Sequence, residues 1–119
     1  MDASTLPTSG EKKVFESGAQ RDGDVGRGRF SLIPPTALLA LAKRFEDGAV
    51  HYGDNNWMKG MPLSRLYDSM MRHLLAASEG DKSEDHLGAI LWNASAWIWT
   101  EQAIKEGRLP HELNDLPYK

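Results

Sequence analysis

Three runs of apolar residues spaced three and four apart, between Pro35 and Gly107, limit this chain to helices packed on helices. In the first, Pro35 to Tyr52, Leu38, Leu41, Ala42, Phe45, Ala49 and Tyr52 share one face, and Gly53 is a natural stop. The second begins near Pro62, carries Leu63, Leu66, Tyr67, Met70, Met71 and Leu74, and ends near Gly80. The third follows Ser83, read here as its N-cap, and carries Leu87, Ile90, Leu91, Ala94, Trp97, Ile98 and Ile104 to about Gly107. No window alternates with period two for long enough to make a strand. The expected fold class is therefore all-α, a compact bundle of three principal helices.

Residues 1–29 are rich in glycine and scattered charge and read as an irregular N-terminal arm that could order over a site, so the domain plan is an arm over 1–29 and a helical domain over 30–119. Phe30 to Pro35 should be a short extended anchor, because a proline pushes the preceding residue toward extended geometry. The tail from Arg108 onward has room for one short turn. A chain of 119 residues buries roughly two thirds of its unfolded surface, enough for a core without staples. Trp92, Trp97 and Trp99 point along different azimuths of the third helix, which leaves one seeking a second surface and suggests a homodimer or homotetramer.

Composition removes several chemistries. With no cysteine there is no thiolate nucleophile and no cysteine-held zinc, so a metal would have oxygen and imidazole ligands. The net charge is −3 and the 14 basic residues are dispersed, which argues against nucleic acid as a partner. No apolar run approaches the ~20 residues of a membrane span and no leader is evident. A soluble, cytoplasmic protein is expected.

Polar residues on the second and third helices do not fit a plain core. If the hairpin between them turns near residues 79 and 80, His73 lies opposite His86. His86 and Asn93 sit on the same face as Ala89, Ile90 and Trp97, where unpaired polar atoms cost about 1–3 kcal/mol each. Taken singly, Glu84 and Asp85 are ordinary complements to a helix N-terminus, His86 is an ordinary core histidine, and Asp68 with Arg72 is an ordinary surface pair. Together, Asp68, His73, Glu84, Asp85 and His86 lie within about two turns of one hairpin, and acids with imidazoles on facing helices are how bundles hold divalent metals. In Asn55, Asn56 and Trp57, amides beside an indole suit a nucleobase, although a turn with an apolar plug is the plainer reading. Arg27 and Arg29, on flexible glycine backbone, could clamp phosphates.

The segments GRGRFSLIPP, FEDGAVHYGDNNWMKGMP, DSMMRHL and EDHLGAILWN occur in an order that resembles the small phage dATP/dGTP diphosphohydrolases, over Ala19 to about Pro117. The resemblance implies metal-dependent hydrolysis of a purine deoxynucleoside triphosphate to its monophosphate and pyrophosphate. In phages that replace adenine by 2-aminoadenine, this supplies dGMP and depletes dATP. Such proteins are grouped with MazG-like all-α pyrophosphohydrolases, whose sites use ExxE and ExxD pairs. Here Asp85 falls on the first acid of the second pair, Ala89 falls on its aspartate, and no ExxE stands on the second helix. Either imidazoles have taken over metal binding or the MazG comparison does not apply.

On that footing His73, Asp85 and His86 are the expected ligands of Mg2+, Mn2+ or Co2+, with Glu84 or Asp68 as a further ligand or general base. Arg72, aided by Arg27 or Arg29, would stabilise phosphoryl charge, Asn93 would orient a ligand, and Asn56 with Trp57 would hold the purine. Two alternatives stay open: a phosphohydrolase that releases tripolyphosphate, and a non-catalytic helical interaction module.

Overall fold

The computed structural model describes residues 11–118 and divides into two units, one ending at Pro34 and the other beginning at Pro35. The first unit holds a small antiparallel hairpin, β1 (Lys13–Val14) and β2 (Gln20–Arg21), with Lys13 opposite Arg21. Strands of two residues are too short to carry a period-two signal, which is why no strand was expected here. The arm expected over 1–29 lies partly, at residues 1–10, outside the described residues. The stretch read as an extended anchor begins as a 3-10 turn, Phe30–Leu32, and becomes extended at Ile33, which directly precedes a proline. The proline constraint reaches one residue back and no further.

The second unit is built on α1 (Pro35–Tyr52), α2 (Leu63–Ser78) and α3 (His86–Lys105). Proline suits the first helical position of α1 because its fixed φ and missing N–H cost nothing there. Gly53, at φ +88°, closes that helix by donating to the Ala49 carbonyl at 2.8 Å. A 3-10 turn, Asn56–Lys59, leads to α2, which starts after Pro62 and so has no capping side chain of its own. Asp115 in the tail supplies one: its carboxylate accepts from the Ser64 backbone N–H at 2.9 Å and from the Ser64 hydroxyl at 2.6 Å. The tail adds the short turn expected of it, His111–Leu113.

Helix α3 packs against both α1 and α2. Its buried face runs His86, Ala89, Asn93, Ala96, Thr100 and Ala103, spaced by three and four, and its small side chains let the neighbouring backbone come close. Leu63, Leu66 and Ala96 form the core, flanked by Met61, Trp92, Trp97 and Leu116. Each leucine buried this fully contributes roughly 1.5–3 kcal/mol by leaving water. Trp92 packs on Phe45, Trp97 on Tyr67, and Trp99 on Trp57 with Arg108 over its ring, so each is half-buried within the chain. Outward-facing Leu87, Leu91 and Ile98 are the large apolar residues α3 leaves in solvent. Among the described residues no helix is long and apolar enough to cross a membrane.

Candidate metal centre

The bend between α2 and α3 sets the site. Gly80, at φ +80°, lets the chain leave α2 through paired bonds, Gly80 N–H to the Ala77 carbonyl at 3.0 Å and Asp81 N–H to the Ala76 carbonyl at 3.1 Å. That turn places Asp81 beside the start of α3. The Asp81 carboxylate accepts from the Ser83 hydroxyl at 2.8 Å, and its Oδ2 is in hydrogen-bond contact with His86 Nε2. Across the hairpin, His86 Nδ1 lies 2.9 Å from His73 Nδ1, the registration expected from the sequence.

Glu84 completes the group. Helix α3 begins at His86, two residues later than a Ser83 cap would put it, so Glu84 lies in the loop and its carboxylate reaches back to 3.8 Å from His73 Nδ1. Arg44 of α1 is 3.6 Å from the same Glu84 oxygen. One nitrogen each from His73 and His86 and one oxygen from Glu84 lie within 4.8 Å of one another.

These atoms suit a cation. With His86 Nε2–H donating to Asp81, the neutral imidazole carries its lone pair on Nδ1, facing His73. A carboxylate behind a histidine, fixing its tautomer and ring angle, is the usual support for a metal-binding imidazole. Two ligands held at about 2.1 Å and at right angles around one ion are about 3.0 Å apart, close to the observed 2.9 Å. Without an ion, His73 Nδ1–H donates to His86 Nδ1, so the pair is satisfied in either state.

Burial is the main cause that holds the His73 pKa below its usual 6.5, with Arg44, His86 and Arg72 acting in the same direction and Glu84 opposing them. Asp81 is held below 3.8, first by the hydrogen bond from His86 and then by that from Ser83. Folded His73 binds a proton less readily than the unfolded chain does, so metal-free stability should decline as pH drops through about 6.5 and level off once the folded imidazole is itself protonated. The Asp81 contribution is present above 3.8 and fades below it. Urea midpoints at pH 8 and pH 5.5 check the first step: the lower pH should give the lower midpoint, and His73→Gln should shrink the gap.

Several expected site residues stand elsewhere. Asp85 is the N-cap of α3, its Oδ1 accepting from the Gly88 N–H at 3.0 Å, so it is not in the cluster. An aspartate three residues before a glycine at a helix start was the sign that sequence reading passed over. Asp68 is exposed on α2 and makes no ion pair with Arg72 among the described residues; five positions from His73, it points about 140° away around the helix. Asn93 reaches no cluster atom: its Nδ2 donates to the Ala89 carbonyl at 2.9 Å and to the Ser69 hydroxyl at 3.2 Å. Arg27 and Arg29 belong to the unit that ends at Pro34, where Arg27 lines a small basic cavity with Lys12, Gln20, Arg21 and Asp22. Asp81 and Arg44 were missed altogether. Asp81 announces itself only as the residue after a helix-ending glycine, and Arg44 arrives by a tertiary contact that no local pattern encodes.

A cavity of about 590 Å³ in the second unit shares Arg44 with this cluster. Arg65 and Arg72 line it with Arg44, and Phe45, Trp57 and Trp92 give it aromatic surface. Asn56 and Trp57 both border it, as the substrate-binding expectation requires. Trp57 is half-buried and packs edge-on against Phe45 at 5.7 Å and Trp99 at 4.9 Å, the apolar plug that was the plainer reading of this turn.

Imidazoles and a carboxylate thus stand beside an arginine-lined, aromatic cavity in this helical unit, and sequence comparison identifies the family. Residues 17–108 match the sequence model of the family described as dATP/dGTP diphosphohydrolase, N-terminal, and the chain belongs to that family. One curated relative is the dATP/dGTP diphosphohydrolase of Salmonella phage PMBT28, 38% identical over 63 residues, which are 53% of this chain and 20% of that protein. The chain thus spans about a fifth of the length of the relative it matches. No solved structure matches.

Proposed function

We propose that the chain hydrolyses dATP and dGTP to the monophosphate and pyrophosphate with the help of a divalent cation held by His73, Glu84 and His86. The observation that carries this reading is the shared arginine: Arg44 touches Glu84 of the cluster and also lines the cavity with Arg65 and Arg72. Three guanidiniums lining one cavity match a triphosphate, which they can grip in paired hydrogen bonds. The aromatic surface suits the apolar faces of a purine. Family membership and the name of the phage relative, a dATP/dGTP diphosphohydrolase, support the same substrates.

A bound divalent ion supplies positive charge to the phosphate oxygens and makes a nearby water acidic enough to attack phosphorus. Two imidazoles with one carboxylate favour Mn2+ or Co2+ over Mg2+. The protein's own groups do the rest. Asp81 fixes the His86 ring, Arg44 positions Glu84 and neutralises phosphate charge, and Arg72, next in sequence to His73, stabilises charge that builds on the phosphoryl oxygens. The dGMP produced would feed synthesis of the 2-aminoadenine nucleotide, and loss of dATP would remove its competitor.

Incubation with each deoxynucleoside triphosphate across several divalent ions, followed by chromatography, tests this directly. Monophosphate and pyrophosphate from dATP and dGTP are expected. Tripolyphosphate with free nucleoside, or no metal-dependent turnover at all, would reject it.

A further inference from the structure

Asn93 is 4% exposed and lines the arginine cavity. Both of its described hydrogen bonds leave from Nδ2, toward Ala89 and Ser69, and among the described residues none reaches Oδ1. The Ala89 carbonyl fixes the orientation of the amide, because a carbonyl oxygen accepts only from the NH2 end. A buried acceptor without a partner is unfavourable, so an atom that donates to it from the cavity gains a well-placed bond.

Phosphate oxygens carry no hydrogen and cannot be that donor. Asn93 also stands two turns along α3 from His86, about 10 Å away, the direction in which a nucleotide extends when its phosphates sit near the cluster. We infer that Asn93 Oδ1 accepts an N–H from the outer edge of the purine base, N6–H of adenine or N1–H of guanine. These donors occupy adjacent positions on the ring, so a small in-plane shift of the base lets one acceptor serve both. A single unpaired acceptor thus accounts for a site that takes two purines of otherwise opposite hydrogen-bond polarity. The Ser69 hydroxyl and Ala89 carbonyl hold the amide in place.

This inference rests on the nucleotide reading above and is tested on the ligand, so that the fold is left untouched. The KM of the wild-type chain is compared for dATP, dGTP, 2′-deoxyinosine triphosphate, which keeps N1–H but lacks the 2-amino group, and the triphosphate of 2′-deoxynebularine, which has neither donor. The first three should agree within a few-fold, and the nebularine compound should show a KM raised about tenfold with kcat little changed, the size of one lost hydrogen bond to a buried partner. In Asn93→Ala, checked for helical circular dichroism, that tenfold gap should close. Equal KM for all four compounds in the wild type would overturn the role of Asn93, with a buried water satisfying Oδ1 instead, while leaving the hydrolase reading intact. A gap that survives in Asn93→Ala would also overturn it. Failure to turn over any of the four would remove both readings together.

Discussion

Replacing His86 by alanine should abolish metal-dependent hydrolysis of dGTP while leaving the helical circular dichroism largely intact. The change removes one cluster nitrogen and strips Asp81 of the ring it orients, so the loss of cation affinity should exceed the 10–100-fold typical of deleting an outer hydrogen-bond partner alone. Asp81→Asn gives that smaller effect by itself, since the Asp81 side chain touches His86 but is outside the three-residue cluster. Alanine is the best helix former and His86 is the first residue of α3, which is why the fold should survive. Calorimetric titration of Mn2+ separates the two effects. Wild-type affinity in His86→Ala would refute the site.

Arg44→Ala should lower kcat/KM for dGTP on the order of 10²–10³-fold, the usual consequence of losing one group aimed at developing charge. Arg44 both contacts Glu84 of the cluster and lines the cavity, so both kcat and KM should suffer: kcat because Glu84 loses its partner 3.6 Å away, KM because a phosphate contact goes. Arg44→Lys keeps the charge but not the two-pronged donor geometry and should recover only part of the loss. An Arg44→Ala enzyme with unchanged kinetics would show that cavity and cluster do not work together.

How far the sequence announced this molecule depended on whether the governing physics was local. Helix existence followed from apolar spacing: α1 runs from Pro35 to Tyr52, the span its stripe defined, because proline and glycine mark both ends. The facing of His73 and His86 was legible for a similar reason, since a short link forces two helices to run antiparallel and the bend alone then sets which residues meet. Asp85 was ambiguous in the sequence because an acid near a helix start looks the same as ligand and as cap until the first helical residue is known. The two-residue shift in that start is also what puts Glu84 in the loop. Arg44 and the Trp57 packing depend on how α1 and its following turn lie on α3, information spread over residues far apart in the chain.

The most direct measurement is a crystal of the protein grown with Mn2+ or Co2+ and examined by anomalous scattering. A single peak about 2.1 Å from both His73 Nδ1 and His86 Nδ1, with the Glu84 carboxylate turned toward it, is the predicted result. A peak ligated by Asp68 or Asp85 instead, or two imidazoles still bonded directly to one another in saturating metal, would contradict the account.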